Sequence, residues 1–450
     1  MSGTSGSAPG GLRAGTLSVG GTWRNWGRSV KSRPRFVVRA GTADEVAAAV
    51  RFARERDLPI KPVGAGHSFS AVAATNGVQL DLRWLDGVVA VDGGLVTLGA
   101  GTNLYQLPAL LAPLGLAMEN LGDIDRQTIA GATSTGTHGT GLRFGGLATR
   151  IRAATLVTAE GTIMRVSPVE HAELLPAVAL GIGALGILVD VTIECVPAFA
   201  VRAVERKERL ESVLAEWEER AETIDHFEFY TWPHTAWTLT KSNTRLPPGA
   251  EPKPLGRIRS WFDDRFMANT VYAQLLGLGS LAPPIVPAIN RAAAALASSR
   301  EFSDDSHAVF TSPRSFRFRE MEYALPLEAV PEAVRAIHAL VERKRWRVSM
   351  PIEVRCAAPD DLWLSSAHGR RTGYVALHRV ATERLGDYFA QAEPILQSLG
   401  GRPHWGKMHR RDAASLAPAY PRFADFLAVR DRLDPDRVFA NEYLRQVLGA

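Results

Sequence analysis

Four polar residues in the C-terminal half of the sequence could act together on a bound substrate. In Ile352-Glu353-Val354-Arg355, polar and apolar residues alternate, which predicts a strand with Glu353 and Arg355 on the same face. His378 ends a second apolar segment and would lie beside them if the two strands pair. Lys407 follows a His-Trp-Gly sequence and adds an ammonium group. These groups can orient hydroxyls, move a proton and stabilise negative charge on an oxygen, although a surface ion pair explains Glu353 and Arg355 equally well.

A glycine-rich loop follows a short predicted strand near the N-terminus. The strand is Pro59–Val63, and the loop reads Gly64-Ala65-Gly66-His67-Ser68. Two glycines and a serine after a strand allow backbone N–H groups to converge on an anion, as phosphate-binding loops do. The spacing does not match the G-x-G-x-x-G dinucleotide fingerprint. Taken alone, the loop is explained equally well by an ordinary tight turn.

A second segment of small and hydroxylic residues strengthens the case for a phosphate ligand. Residues 128–141 read Thr-Ile-Ala-Gly-Ala-Thr-Ser-Thr-Gly-Thr-His-Gly-Thr-Gly. This composition predicts an irregular loop, not a helix or strand, with a backbone that a large polyanion can approach closely. Ile129 and Leu142–Phe144 would anchor the segment to the core. Two such loops in one domain indicate a dinucleotide.

The elements that must position these residues divide the chain near residue 198. Before it, a capping box at Thr42 and Glu45 opens a helix through Arg56, and several strands follow, with a hairpin over Thr155–Val166 and an apolar strand over Gly186–Val196. After it, the pattern predicts a charged helix, an aromatic strand and strand–helix–strand units, at Arg206–Thr223, His226–Trp232 and Phe316–Val380. We therefore expect an α+β domain on each side.

Composition limits the class of protein. The 450 residues are 46% hydrophobic, which suits two or three folded domains and excludes a disordered chain. A net charge of +5 without a basic cluster argues against nucleic-acid binding. Two cysteines, Cys195 and Cys356, are too few for a disulfide framework and indicate a reducing compartment, here the cytoplasm. Residues 1–21 lack a signal-peptide core, and the apolar stretch 174–189 is too short to span a bilayer, although peripheral membrane contact stays open.

The motifs together resemble a known flavoprotein group. The Gly-His-Ser loop, the Thr-Gly-Thr-His-Gly loop and Gly183–Ile187 resemble the FAD-binding domain of the vanillyl-alcohol oxidase superfamily. Its aldonolactone oxidoreductase branch, with L-gulono-1,4-lactone dehydrogenases, D-arabinono-1,4-lactone oxidases and the related alditol oxidases, is similar in three further segments, His404–Lys407, Phe318–Tyr323 and Leu433–Phe439. The resemblance runs from about Trp23 to Leu448.

The resemblance implies a fold and a cofactor. The expected fold is α+β, with a flexible tail over 1–21, a two-part FAD-binding domain of the PCMH type over 22–198, a cap domain with an antiparallel sheet over 199–432, and a segment 433–450 returning to the first domain. FAD would be attached covalently through His67. The remaining cofactor contacts are assigned by the same resemblance: Pro62, Val63, Gly64, Ala65, Gly66 and Ser68 around the pyrophosphate, with Thr128, Gly131, Thr135, Gly136, Thr137 and His138, Ile187 at the adenine, and Gly122, Asp123 and His404 near the flavin.

The resemblance also implies an activity, the oxidation of a CH–OH group of a sugar lactone by hydride transfer to flavin N5. Glu353 and His378 would orient hydroxyls and help to move the proton, while Arg355 and Lys407 would stabilise negative charge. Asp123 stands where alditol-oxidising relatives have serine, which favours a lactone over an alditol. The alternatives are an alditol, oligosaccharide or other alcohol oxidase of the same fold, and a non-catalytic flavin-binding protein.

Two further points concern the metal and the electron acceptor. His404 and His409 have no third ligand at motif spacing, so no metal site is predicted. Gly122, near the flavin by resemblance, would leave space for oxygen, whereas similarity to dehydrogenases favours another acceptor. Oxidase and dehydrogenase both stay open.

Overall fold

The N-terminal unit contains two larger sheets, in a computed structural model that describes residues 12, 15–296, 299–312, 314, 316–383 and 386–450. One sheet has the order β1-β4-β6-β5, and the other, which is antiparallel, has the order β11-β10-β12-β8-β7. The strands of this unit are β1 (Leu17–Val19), β2 (Trp23–Arg24), β3 (Lys31–Ser32), β4 (Phe36–Arg39), β5 (Ile60–Val63), β6 (Val78–Asp81), β7 (Val88–Asp92), β8 (Leu95–Gly99), β9 (Leu116–Ala117), β10 (Ile151–Val157), β11 (Ile163–Val166), β12 (Ile187–Glu194) and β13 (Val196–Pro197). Its helices are α1 (Ala43–Arg54), α2 (Leu107–Leu111), α3 (Ile129–Thr135) and α4 (Leu175–Val178).

Helix α1 begins where the capping residues predict. The Thr42 hydroxyl accepts a hydrogen bond from the Glu45 N–H at 3.2 Å, and the Glu45 carboxylate accepts one from the Gly41 N–H at 2.7 Å. One face of the helix, which includes Val46, Val50 and Phe52, is buried in the core of the unit. The predicted helix is confirmed, as are the strand β5, the β10–β11 hairpin and the apolar strand β12.

The expected irregular loop at 128–141 is wrong in its first half, because Ile129–Thr135 forms helix α3. The hydroxyls that argued against a helix are satisfied inside it: Thr133 and Thr135 donate to the carbonyls of Ile129 and Gly131, each at 2.9 Å. Thr128 caps the helix, and Gly136 ends it with a left-handed φ of 85°. Small side chains permit close packing around this helix. The threonine hydroxyls donate to backbone carbonyls, and these hydrogen bonds replace those with water.

The cap unit is built on one eight-stranded sheet of order β17-β14-β16-β15-β19-β20-β18-β21. Its strands are β14 (Ala200–Arg209), β15 (His226–Thr231), β16 (Trp237–Arg245), β17 (Arg300–Asp305), β18 (Phe318–Pro326), β19 (Ile352–Ala357), β20 (Thr372–Val380) and β21 (Arg402–Pro403). The helices are α5 (Leu210–Ala215), α6 (Trp217–Thr223), α7 (Arg257–Ser260), α8 (Tyr272–Leu281), α9 (Val286–Leu296), α10 (Ser306–Phe310), α11 (Val330–Arg343), α12 (Tyr388–Ser398), α13 (Ala413–Leu416), α14 (Phe423–Leu433) and α15 (Glu442–Leu448), with a π-helix over Trp261–Val271.

Alternation gives the cap sheet two different faces. Phe227, Phe229 and Val354 point to one face, where they are fully buried against Trp217 of α6 and Ile337 of α11. The residues between them in the strands point to the other face, towards the N-terminal unit. The apolar face fixes the sheet, and the opposite face is free to carry polar groups.

The structure differs from the expected layout at three other places. Residues 206–209, expected in a helix, extend strand β14, because that strand pairs with both β16 and β17. Leu17–Val19, expected in the tail, pairs with β4, whereas residues 1–11, 13 and 14 lie outside the described part of the chain. Leu416 and Phe426 already pack on the core of the N-terminal unit, so the return to that unit precedes residue 433. Among the described residues, no helix is both long and apolar enough to cross a bilayer.

His226 joins the two units in its neutral form. Its ring lies between Phe144 and Phe310, with centroid separations of 4.5 and 4.7 Å. Nδ1 donates to the Thr140 carbonyl at 2.8 Å, and Nε2 accepts from Arg245 Nε at 3.4 Å. Burial lowers the pKa of His226 to about 4, and the Arg245 charge acts in the same direction.

This pKa predicts a pH dependence of stability. An unfolded histidine has a pKa near 6.5, so the contribution of neutral His226 is present above that pH and is lost as the pH falls towards 4. When the pH is lowered from 7.5 to 5.5, the free energy of unfolding should fall in both proteins. The fall should be about 1.3 kcal/mol smaller in His226→Gln than in the parent protein. Denaturant titration at the two pH values measures the difference. His171→Gln, at an exposed position, is the control, and an identical pH dependence in all three proteins would contradict the assignment.

Candidate active site

A cavity of about 720 Å³ lies between the polar face of the cap sheet and the N-terminal unit. It brings together predicted residues from both halves of the chain. The predicted residues in its wall are His67, Ser68, Gly122, Asp123, Thr135, Thr137, His138, Glu353, Arg355, His378, His404 and Lys407.

A narrower cleft of about 120 Å³ continues from the cavity into the N-terminal unit. The two share His67, Ser68, Gln127 and Thr135 in their walls. The cleft is also lined by the predicted residues Pro62, Gly64, Ala65, Gly66, Thr128 and Gly131. The side chains of Val63 and Ile187 are buried in the core, and these two residues and Gly136 line neither space.

The glycines of the first loop permit its close contact with α3. A Cβ atom at Gly64 would lie 2.2 Å from Thr128 Oγ1, and Gly66 has a left-handed φ of 69°. Any larger residue at position 64 would push the two segments apart. The cleft is therefore bordered by exposed backbone on both sides, which fits the elongated, phosphate-bearing part of a dinucleotide.

Strand pairing positions Glu353 and Arg355 in the cavity wall. Strand β19 lies between β15 and β20, and Arg355 Nε is 2.6 Å from Glu353 Oε1. The same nitrogen is 2.8 Å from Glu228 Oε2, on the neighbouring strand. Burial raises the pKa of Glu353 and Glu228 acts in the same direction, whereas Arg355 opposes them. The Tyr230 hydroxyl donates to Glu353 Oε1 at 3.3 Å.

His378 lies beside this pair, as predicted from the two strands. Its Nδ1 is 2.9 Å from the Pro351 carbonyl, an acceptor, so Nδ1 carries the proton. Its Nε2 lies 3.8 Å from Glu353 Oε2 and 3.7 Å from Glu320 Oε1. The backbone bond therefore orients Nε2 towards the carboxylates of the cavity.

Two carboxylates hold Lys407 in the cavity. Lys407 Nζ is 2.5 Å from Glu320 Oε2 and 3.9 Å from Glu322 Oε2. Burial alone would lower the pKa of Lys407, but these carboxylates raise it, so the side chain is an ammonium. Sequence reasoning missed their role, although alternation in β18, with Met321 and Tyr323 in the core, places both glutamates on one face.

Asp123 is paired with a cation from the cap unit. Its Oδ2 is 2.8 Å from Arg314 NH2, and its Oδ1 accepts a hydrogen bond from the Ser312 hydroxyl. Burial would raise the pKa of Asp123, but Arg314, with Lys241 and Arg355, lowers it to about 2. Arg314 and Ser312 were missed because they lie in an irregular segment, without periodicity.

His67 lies at the junction of the cavity and the cleft. Its ring stacks on Trp26, with centroids 5.1 Å apart. Burial lowers the pKa of His67 to about 4, and the charges of Lys407 and Arg126 act in the same direction. The imidazole is therefore neutral at neutral pH, with a nitrogen lone pair available as a nucleophile.

Three potential metal ligands also meet in the cavity. Donor atoms of His138, Glu322 and His404 all lie within 4.8 Å of one another. His138 Nε2 is 3.2 Å from Glu322 Oε1, and His404 Nδ1 accepts from the Gly406 N–H at 3.0 Å. The Lys407 ammonium beside Glu322 already supplies positive charge there, so we assign no ion to this group. His409 Nε2 lies 2.8 Å from the Tyr443 hydroxyl.

Comparison with known proteins finds similar sequences over nearly the whole chain. The family model described as D-arabinono-1,4-lactone oxidase matches residues 191–447, and the FAD binding domain model matches residues 34–167. An L-gulono-1,4-lactone dehydrogenase of Mycobacterium tuberculosis is 40% identical over 429 residues, covering 95% of this chain and 99% of its own length. An L-gulonolactone oxidase of Bos taurus is 32% identical, covering 94% and 98%. An alditol oxidase of a Streptomyces species is 30% identical, covering 94% and 98%.

Solved structures support the fold. A cholesterol oxidase from Brevibacterium sterolicum superposes with a TM-score of 0.80, covering 98% of this chain and 100% of its own, at 17% identity. This similarity, at low identity, concerns the fold alone. The two matching family models and the 40% identity together show that the chain belongs to the D-arabinono-1,4-lactone oxidase family of FAD-dependent oxidoreductases.

Proposed function

We propose that this chain oxidises a secondary hydroxyl group of a sugar-derived 1,4-lactone, such as L-gulono-1,4-lactone. One observation carries the proposal: Glu353, Arg355, His378 and Lys407 meet in a cavity that continues, at His67, into a cleft suited to a dinucleotide. The names of the relatives, L-gulono-1,4-lactone dehydrogenase and L-gulonolactone oxidase, indicate the same substrate class. A non-catalytic flavin-binding protein would have no need of this complete polar set.

The cofactor site is formed by the two segments that meet at Gly64 and Thr128. FAD, when bound there, supplies the chemistry by accepting the substrate hydride at N5. The exposed backbone of residues 62–68 and the start of α3 would hold its phosphates. Covalent attachment through His67 is supported by the neutral imidazole and its place between cleft and cavity.

The cations of the site would stabilise charge on the substrate. As the hydroxyl loses its proton, negative charge develops on its oxygen, and the Lys407 ammonium and Arg355 guanidinium face the same space. Both are fixed in place by carboxylates, Lys407 by Glu320 and Arg355 by Glu353 and Glu228. Preorganised charges of this kind need no reorganisation during the reaction.

The hydroxyl proton would move to a group on β19 or β20. His378 Nε2 faces the cavity, with Nδ1 held by its hydrogen bond to the Pro351 carbonyl. Glu353, whose pKa is raised, lies 3.8 Å away and can share or orient the proton. Together they would hold the substrate hydroxyl while the C–H bond is broken.

A lactone is favoured over an alditol by the pair of Asp123 and Arg314. The carboxylate is ionised and engaged by Arg314, whose side chain also lines the cavity. The pair presents a guanidinium that can donate to a lactone carbonyl, which an alditol lacks. Alditol oxidation stays the second candidate, because an alditol oxidase is 30% identical to the chain.

Location and electron acceptor belong to the proposal as well. A reducing, cytoplasmic location is supported by Cys195 and Cys356, both buried and unpaired. The acceptor is either oxygen or another oxidant. Anaerobic reduction of the flavin by a panel of lactones and alditols tests the proposed substrate class, and failure of every lactone would overturn it.

We predict that FAD is attached through His67. After acid precipitation of the purified protein, the yellow colour should stay in the pellet, because a covalent bond survives unfolding. His67→Ala should release all flavin into the supernatant or bind none. His171→Gln, with an exposed ring, is the control. A colourless pellet from the parent protein would disprove attachment.

Replacing the charged groups should slow flavin reduction without loss of FAD. Lys407→Ala should reduce the rate by roughly 10²–10³, as removal of one stabilising donor does in other enzymes. Glu353→Gln should also weaken reduction by the lactone. Stopped-flow absorbance measures both variants, with Lys344→Ala, on the surface of the cap unit, as the control. If both variants reduce the flavin at rates near that of the parent protein, Lys407 and Glu353 have a purely structural role.

Gly122→Ala tests the access of oxygen. An added Cβ would lie 3.0 Å from the His138 carbonyl oxygen and 3.4 Å from Thr137 Cγ2, so the segment must shift by a few tenths of an ångström. We expect oxygen to reoxidise the reduced variant about tenfold more slowly, a barrier increase of about 1.4 kcal/mol, with the rate for an artificial dye unchanged.

The control for Gly122→Ala is Gly21→Ala, at an exposed position where an added Cβ meets nothing within 4 Å. FAD content and thermal stability are measured alongside, because the contact with His138 also affects folding. If both oxidants slow equally, the methyl group acts on the structure and not on oxygen. If the parent enzyme itself reacts with oxygen far more slowly than with the dye, it is a dehydrogenase, and Gly122 does not control the acceptor.

A further inference from the structure

A row of charges with alternating sign crosses the cap sheet on its cavity side. The strand register places Arg300 opposite Glu205, Glu205 opposite Lys241, and Lys241 opposite Glu228. Arg355 continues the row through its contact with Glu228. We call these five residues the charge row; all except Glu228 line the cavity wall. The row therefore begins at the proposed catalytic groups and leads away from them.

The members of the charge row are held in place by contacts with one another. Arg300 Nε is 2.7 Å from Glu205 Oε2, and Lys241 Nζ is 3.3 Å from Glu228 Oε1. Burial would lower the pKa of Lys241, but Glu228 and Glu205 raise it. The row presents ammonium, guanidinium and carboxylate groups along one wall. Glu353, which contacts Arg355, balances the count, so that three cations and three carboxylates lie together there.

The row is longer than a monosaccharide lactone. It covers five neighbouring strands, from β17 to β19, and strands lie about 4.8 Å apart, so its length is roughly 19 Å. A six-carbon chain with carbon–carbon bonds of roughly 1.5 Å extends over about 7 Å. A lactone held by Glu353, His378 and Lys407 therefore leaves the part of the cavity beside Arg300, Glu205 and Lys241 without contacts to it.

Apart from the Asp123–Arg314 pair near Lys241, several side chains around the charge row are apolar. Trp232 and Leu239 lie beside the row on the sheet, and the helical segments contribute Met267, Val271, Leu275 and Ala293. A space with one charged wall and apolar surroundings matches a sugar ring, which has hydroxyl groups at its edge and C–H groups on its faces. Alternating signs suit hydroxyls in particular, because each hydroxyl both donates and accepts.

Charge balance selects among ligands. A phosphate or carboxylate group would need a surplus of cations, whereas the carboxylates of Glu205 and Glu228 lie next to each cation of the row. An apolar chain would leave these charges without polar contacts from the ligand. A neutral polyhydroxylated group can form hydrogen bonds with the charged wall and place its C–H groups against the apolar side chains.

We propose that the cavity contains a distal saccharide subsite, lined by Arg300, Glu205, Lys241 and Ala293, and that the preferred substrate is a glycosylated sugar lactone. The inference rests on the proposed function for the reacting ring. The lactone ring occupies the site of Glu353, His378 and Lys407, and a second, neutral sugar ring lies over the distal part of the charge row.

The test compares ligands that differ only by the second ring. The FAD-loaded enzyme is titrated anaerobically with D-gluconolactone and with the lactone of 6-O-galactosyl gluconic acid, both as the 1,4-lactone. The apparent dissociation constant is taken from the flavin absorbance, or from the concentration dependence of the reduction rate where the compound reduces the flavin. We expect the disaccharide lactone to bind at least about tenfold more tightly.

Two tryptophan variants of α9 test whether the difference in affinity between the two lactones arises in the distal part of the cavity. Ala293→Trp puts a large ring into the distal space and should weaken disaccharide binding by about tenfold or more, with little effect on D-gluconolactone. Ala292→Trp is the matched control, because Ala292 is the preceding residue and is exposed. Its ligand binding should equal that of the parent.

The outcomes separate this inference from the proposed function. If the disaccharide lactone binds no more tightly than the monosaccharide, or if Ala293→Trp weakens both ligands equally, the distal subsite is disproved. Flavin reduction by L-gulono-1,4-lactone is measured in the same preparations. If that reduction fails while the disaccharide preference and its loss in Ala293→Trp hold, the subsite stands and the proposed oxidation of sugar lactones does not.

Discussion

The site depends on the two faces of the cap sheet. Strands β15, β18 and β19 bury aromatic and aliphatic side chains on one face, against α6 and α11, and place charged residues on the other. A slip of one residue in any of these strands would exchange the faces, put charges into an apolar core and remove them from the cavity. The same packing that stabilises the cap unit therefore fixes the register, and through it the position of every polar group in the site.

Burial of these charges is tolerated because each is matched. Arg355 lies between Glu228 and Glu353, Lys407 is held by Glu320, and Asp123 is held by Arg314. A lone buried charge would change its protonation state or destabilise the fold, whereas paired groups keep their charge and their place. The same buried charges leave two neighbouring groups in different protonation states: His67 is neutral beside these cations, while Lys407 stays an ammonium.

Local patterns in the sequence predict part of this arrangement well. Alternation in Ile352–Arg355 places Glu353 and Arg355 correctly, and the capping residues of α1 give its first turn. The same rule, applied to β15 and β18, would have found Glu228, Glu320 and Glu322. Arg314 could not be found in this way, since its position follows from tertiary contact with Asp123 and not from any periodicity.

Composition was a weaker guide than hydrogen bonding. The segment at α3 reads as a loop because its residues have low helix propensity, but two threonine hydroxyls bond to carbonyls one turn earlier, which makes a short buried helix acceptable. Charged residues at 206–209 read as a helix, yet two partner strands recruit them into β14. In both cases long-range packing overrides the local preference.

The pair of Asp123 and Arg314 has a consequence for how ligands exchange. Asp123 belongs to the N-terminal unit and Arg314 to the cap unit, and both side chains lie in the cavity wall. A hinge motion that separates the two units would break this pair. Separating a buried ion pair costs several kcal/mol when neither charge finds another partner. The ion pair therefore holds the two units together on the side of the cavity where Asp123 and Arg314 lie. Exchange of a ligand with this pair intact therefore keeps the cap sheet and the N-terminal unit at a fixed separation on this side of the cavity.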